Sequence, residues 1–210
     1  MLDIRLFLDN KVFAFSNLAA LINYCATFAV TFLLSLYLQH IKMLTPSQTG
    51  IILVAEPVVQ AFFSPFAGRL SDRFEPQIIA SIGMAINVIG LIPLIFIQSN
   101  TSIHYIVICL ILLGVGFALF SSPNVNATMS AVGNKFYGIA SATLGTMRLT
   151  GQMFSMGITM LVFAIILGSQ PLSEANNLLL LKSTQIIFAI LAIICCGGIF
   201  ASATRGKIHQ

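Results

Sequence analysis

Charge is scarce in this sequence. Ten Lys and Arg and six Asp and Glu in 210 residues make 8% of the chain, against roughly 25% in a soluble domain. So few charges cannot cover the surface of a water-soluble fold of this size. Catalytic motifs are missing too: there is no Gly-x-Ser-x-Gly, no His-Glu-x-x-His and no phosphate-binding loop. Three scattered histidines do not make a metal site. The four cysteines, Cys25, Cys109, Cys195 and Cys196, lie in apolar segments with no C-x-x-C spacing, so buried reduced thiols are expected. Adjacent Cys195 and Cys196 point in different directions on a helix and make a poor metal pair. Neither a basic run nor an aromatic RNA-binding pattern is present, so the net charge of +4 does not indicate nucleic acid. The first residues lack a short apolar core with a small-residue cleavage site, and they read as a cytoplasmic lead-in. No enzyme activity, cofactor or metal is expected.

Apolar residues are what the chain has, at 58%. A bilayer core of about 30 Å needs about 20 apolar residues per helix. Six segments qualify, near 12–38, 49–69, 77–97, 103–128, 136–167 and 179–203. Backbone exposed to lipid must satisfy its own hydrogen bonds, so these are helices. None alternates as a barrel strand would. The expectation is an all-α membrane protein, one six-helix transmembrane domain over 1–210. Thr45-Pro46-Ser47 opens the second span in the manner of an N-cap. Gln98-Ser99-Asn100-Thr101 is a short polar break, and Gly168-Ser169-Gln170-Pro171 ends the fifth span before a polar stretch with Asn176-Asn177.

Lys and Arg counts orient the spans. Arg5, Lys11, Arg69, Arg73, Lys135, Arg205 and Lys207 fall on one side, and only Lys42 and Lys182 on the other. Seven against two predicts that both termini are cytoplasmic, in an inner or plasma membrane. An even number of spans requires the termini to share a side.

The fifth segment carries Gly133, Gly138, Gly145, Gly151 and Gly157, with Ala140, Ser141 and Ala142 among them. The fourth holds Gly114-Val115-Gly116 and Ser121-Ser122-Pro123. Small residues at helix-face spacing let backbones approach closely in lipid. They serve ordinary packing or a helix that rocks against a partner. Pro57, Pro65, Pro93 and Pro123 lie inside or near span ends, where each removes a backbone donor and kinks the helix.

Gly68-Arg69-Leu70-Ser71-Asp72-Arg73-Phe74-Glu75-Pro76 gathers four charged residues between the second and third spans. Gly68 lets a neighbour approach. Asp72 is expected to accept from the first amides of the next helix, and Pro76 fits that helix's first turn. Arg69 and Arg73 suit anionic headgroups. The ordered set Gly68, Leu70, Asp72, Arg73 between two membrane helices resembles the loop signature of the major facilitator superfamily of secondary transporters. Glu75-Pro76-Gln77 departs from the usual Gly and basic continuation. It resembles the second-half copy of the loop in the fourteen-span drug–proton antiporter branch. Asp3-Ile4-Arg5-Leu6-Phe7 with Asn17-Leu18-Ala19, Tyr37-Leu38-Gln39, Gly114-Val115-Gly116-Phe117 with Ser122-Pro123, and Gly138-Ile139-Ala140-Ser141 leading to Arg148-Leu149-Thr150-Gly151 are similar to that branch in the same order.

The resemblance covers nearly the whole chain and implies the C-terminal half of such a transporter. The first-half arginine and Gly-Pro motifs associated with antiport cannot be located. The implied function is proton-coupled efflux of hydrophobic or cationic small molecules by alternating access. The implied partners are the lipid bilayer, a small-molecule substrate, protons, and either a missing N-terminal half or a second copy of the chain. The alternatives are a homodimerising half-transporter for another small solute, and a non-transporting membrane remnant or scaffold.

Two ionisable residues lie deep in spans. Arg148 is about 18 Å in from Phe136, and Glu56 about 10 Å in from Thr49 on the other side. An unpaired charge at such depth costs at least about 2.5 kcal/mol, so the two either pair or face a water-filled cavity. Glu56 is a candidate proton carrier or counter-charge for a cationic substrate, or else reaches the outer interface beside Pro57. The resemblance assigns it no role. Arg148, which keeps its charge, either pins helices together or binds an anionic group. Asn23 and Asn124 lie on the spans that line the central cavity in the superfamily. They are candidate substrate contacts or interhelical hydrogen bonds. Asn87 and Asn126 belong to the same polar set, and His104 beside Tyr105 is expected at the outer interface.

Overall fold

A computed structural model describes residues 10–168 and 177–204. Among them it has no strand and six helices long and apolar enough to cross a membrane. They are α1 (Lys11–Ile41), α2 (Pro46–Arg73), α3 (Pro76–Ile95), α4 (Ile103–Ser130), α5 (Asn134–Leu167) and α6 (Asn177–Ala203). The six-helix architecture follows the apolar segments, and it is consistent with the half major facilitator fold that the resemblance implies. Arg5, Arg205, Lys207, the Asp3–Phe7 stretch and the polar stretch before Asn177 lie outside the described residues.

Local chemistry sets the helix starts. The Asn10 side chain accepts from the Phe13 amide and caps α1. Thr45 and Gln48 form a reciprocal capping box with Pro46 just inside it, so α2 begins three residues before the apolar run does. Ser102 caps α4 by accepting from Tyr105. α1 ends in a π-helical turn, Tyr37–Ile41, which widens the helix where it leads into the α1–α2 loop. Gly133 lies before the short 3-10 turn Asn134–Phe136 and is not part of the α-helix that begins at Tyr137.

α2 is broken. It runs as Pro46–Leu53, turns at Val54 and resumes as Ala55–Arg73. Pro57 has no amide hydrogen for the Leu53 carbonyl, which accounts for the interruption at this point. Further along α2, a correction is needed. Residues 68–73 are helix, not turn, and Asp72 stands exposed in the last turn. The N-cap of α3 is Glu75, with no side-chain cap bond, so Asp72 does not cap that helix. Pro76, as expected, occupies its first turn.

Around the bundle, α2 packs on α4, α4 on α3, α3 on α6, α6 on α1 and α1 on α5. α2 and α5 are the least buried of the six and do not pack on one another. The largest core cluster holds Val30, Leu33, Leu34, Tyr37, Leu91, Leu94, Leu110, Phe188 and Leu191, from α1, α3, α4 and α6. Glycines make the tightest contacts. Residues two apart on a helix point nearly opposite ways. Accordingly, Gly114 meets the α2 backbone at Glu56, whereas Gly116 meets Asn87 and Gly83 on α3.

The α3–α4 loop is fastened from three sides. Tyr37 Oη donates to the Gln98 carbonyl at 2.6 Å, Lys42 Nζ to Ser99 at 2.8 Å, and Gln185 Nε2 to Ile97 at 2.6 Å. His104 is exposed in the first turn of α4, and Tyr105 Oη donates to the Pro93 carbonyl at 2.9 Å.

Candidate functional site

Because α2 and α5 stand apart, the bundle keeps a cavity of about 610 Å³ between them. α1 forms its back wall with Tyr24, Thr27, Phe28, Thr31, Phe32 and Ser35. These positions recur at three- and four-residue spacing and so share one helix face. α2 contributes Leu53 and Glu56, α4 contributes Phe117, and α5 contributes Gln152 and Met156. The lining is aromatic and apolar with hydroxyl, amide and carboxyl groups set into it, the composition expected of a small-molecule site.

Glu56 is half-buried at this cavity, in reach of the Thr31 hydroxyl. Since α2 starts at Pro46, Glu56 lies ten residues along the helix, about 15 Å from its start.

Arg148 and Glu56 do not pair. The guanidinium sits 5.4 Å from the centroid of the Tyr24 ring, and its Nε is buried without a hydrogen-bond partner. Tyr24 meets Phe117 edge-on, with centroids 5.2 Å apart and planes at 89°. The two rings bridge α1 and α4 at one end of the cavity. Arg148 is one helical turn before Gln152 and does not line the cavity itself. It is a cation seated on an aromatic floor, a geometry worth about 0.5–2 kcal/mol. It is not the hydrogen-bonded pin that the sequence allows.

Asn23 and Asn124 stand elsewhere. Asn23 is fully buried and accepts from Asn87 Nδ2 at 3.1 Å, tying α1 to α3. Asn124, 1% exposed, donates to the Ser16 carbonyl at 3.2 Å and ties α4 to α1. Both make interhelical hydrogen bonds, and neither lines the cavity.

The signature segment is anchored through a residue that sequence reasoning passed over. Ser71 is buried, donates to the Gly68 carbonyl at 2.8 Å and accepts from Asn126 Nδ2 at 2.6 Å. Gly68 faces the Ser122 hydroxyl. The signature end of α2 is therefore docked on α4, while Leu70, Asp72 and Arg73 are exposed. Among cavity residues, Thr31, Tyr24 and Gln152 were also missed. Only the one-face spacing along α1 offered a signal.

Residues 17–207 match the model of the Major Facilitator Superfamily. The riboflavin transporter RibZ of Clostridioides difficile is 29% identical over 147 residues, covering 70% of this chain and 32% of that protein. The multidrug resistance protein Stp of Mycobacterium tuberculosis is 27% identical over 158 residues, covering 75% of this chain and 29% of Stp. The MFS-type transporter YcnB of Bacillus subtilis, whose function is uncharacterised, is 26% identical over 209 residues, covering 99% of this chain and 43% of YcnB. The chain thus spans less than half the length of the curated relatives it matches. With its six apolar helices, it is an integral, multi-pass membrane protein and belongs to the Major Facilitator Superfamily.

Proposed function

We propose that this chain forms one wall of the translocation cavity of a secondary transporter, exporting hydrophobic or cationic small molecules in exchange for protons. The observation that carries this reading is the cavity between α2 and α5, with a single carboxylate, Glu56, among aromatic and apolar side chains. An intramembrane carboxylate that faces a cavity can hold a cation or a proton in turn, and binding one releases the other. The multidrug resistance protein Stp among the relatives supports the substrate class. The least-buried helices flank the cavity, so the second wall comes from a partner surface. The relatives' greater length supports a preceding half as that partner. Alternating access then consists of the two walls rocking about a site between them. The Lys and Arg bias supports a cytoplasmic side for the Asp72 end of α2 and for both ends of the chain.

The test is efflux from proteoliposomes across a range of pH, with the chain alone and with a complementing half. Glu56→Gln is expected to abolish pH-driven export while leaving the protein folded. Unchanged pH-driven export by this variant removes the reading. A second copy of this chain as the other wall predicts activity without any complementing half, and a dimer on cross-linking in membranes.

A further inference from the structure

The Glu56 carboxyl sits on α2 next to the one carbonyl, that of Leu53, which Pro57 leaves without its helical donor. Val54 interrupts the helix two residues before it, and Pro57 withholds an amide from Leu53 immediately after. Two contacts from outside α2 bear on the position of the carboxyl. On α4, a Cβ added to Gly114 would lie 2.6 Å from the Glu56 carbonyl oxygen and 3.0 Å from Val59 Cβ. The two backbones therefore touch there, and no other residue type fits without moving α2. On α1, Thr31 brings its hydroxyl within reach of the carboxyl across the cavity.

The geometry points to Gly114 and Thr31 as the positioning residues of the Glu56 carboxyl: Gly114 seats the backbone and Thr31 aims the side chain into the cavity. This rests on the reading of Glu56 given above. The other titratable groups near the carboxyl are few. Tyr24 on α1 lines the same cavity, and Arg148 on α5 lies behind the Tyr24 ring. α4 presents Phe117, and α5 presents Gln152 and Met156. Tyr24, Thr27, Ser35 and Gln152 also carry donors in this cavity, and Thr31 is the one whose hydroxyl meets the carboxyl.

The test uses the full chain in lipid nanodiscs and dicyclohexylcarbodiimide, which labels carboxyl groups in apolar surroundings. Modification of Glu56 is read by mass spectrometry over a pH series. Thr31→Val keeps the shape and loses the donor. It is expected to label about two- to tenfold faster at a fixed pH, the equivalent of one net hydrogen bond, with its pH profile displaced. Thr31→Ser keeps the hydroxyl and should restore the wild-type rate and profile. Gly114→Ala should change the rate as well. If it does not fold, the Thr31 pair decides. Wild-type labelling by Thr31→Val at every pH, or Thr31→Ser behaving as Thr31→Val does, overturns the assignment. If Thr31→Val changes labelling as described but Glu56→Gln leaves export intact, the positioning stands and only the role of Glu56 in export falls.

Discussion

Gly151→Ala isolates the closest approach of α5 to α1. A Cβ at this position would meet the Leu21 carbonyl, and it would stand 3.1 Å from both Cys25 N and Tyr24 Cβ. Two of those atoms are backbone, so α1 or α5 must shift. Inserting a methyl into such a contact costs about 1–3 kcal/mol. Alanine also favours the helix by about 1 kcal/mol over glycine, which would mask part of the loss. Gly145→Ala and Gly157→Ala remove that ambiguity. Both glycines are on the same helix with nothing within 4 Å of the added methyl, so each gains the propensity term without the clash. The difference between Gly151→Ala and either control is therefore the clash alone. For a chain of this size it corresponds to a gap of roughly 2–12 °C in the unfolding midpoint. The chain contains no tryptophan, so far-UV circular dichroism in one detergent is the suitable readout. Equal midpoints for Gly151→Ala and Gly145→Ala would refute the argument that only one of these glycines bears a helix contact.

Other outcomes follow from the polar ties. Asn87→Ala leaves Asn23 fully buried without its partner and is expected to cost about 1–3 kcal/mol, read in the same melting experiment. Replacing both Asn23 and Asn87 by Ala should cost less than the two single losses summed, as a double-mutant cycle would measure. Asn126→Ala frees Ser71 from α4 and should speed trypsin cleavage at exposed Arg69 and Arg73, followed by gel and mass spectrometry. Thr45→Ala removes one arm of the α2 capping box and should lower stability by about 0.5–2 kcal/mol.

The six helices were legible because span length and apolarity are properties of consecutive residues. Thr45-Pro46 and Pro76 announced helix starts in the same local way. Glu56 stood out because a carboxylate in an apolar run is conspicuous whatever its neighbours. Its setting was not legible: Thr31 and Gly114 come from other helices, and no spacing in one dimension brings them together. The glycines make the same point. Gly145, Gly151 and Gly157 look alike along α5, but only Gly151 faces α1. Asp72 misled because loop charges suggest a cap, whereas the helix continues to Arg73 and the chain turns only at Phe74 and Glu75. Asn23 and Asn124 were identified as polar groups within spans, but the helix each would bond to depended on how the bundle closes.

The dependence of α2 on α4 also bears on biosynthesis. α4 is complete only 57 residues after α2 ends. At a synthesis rate of about 5–20 residues per second, α2 waits for roughly 3–11 s before its main neighbour exists. During that interval it carries Glu56 into the bilayer with α1, and then α3, already made. Thr31 is then the polar group available to it, and Gly114 has yet to be synthesised. The order of synthesis thus gives the carboxyl its contact on α1 first and its seat on α4 last.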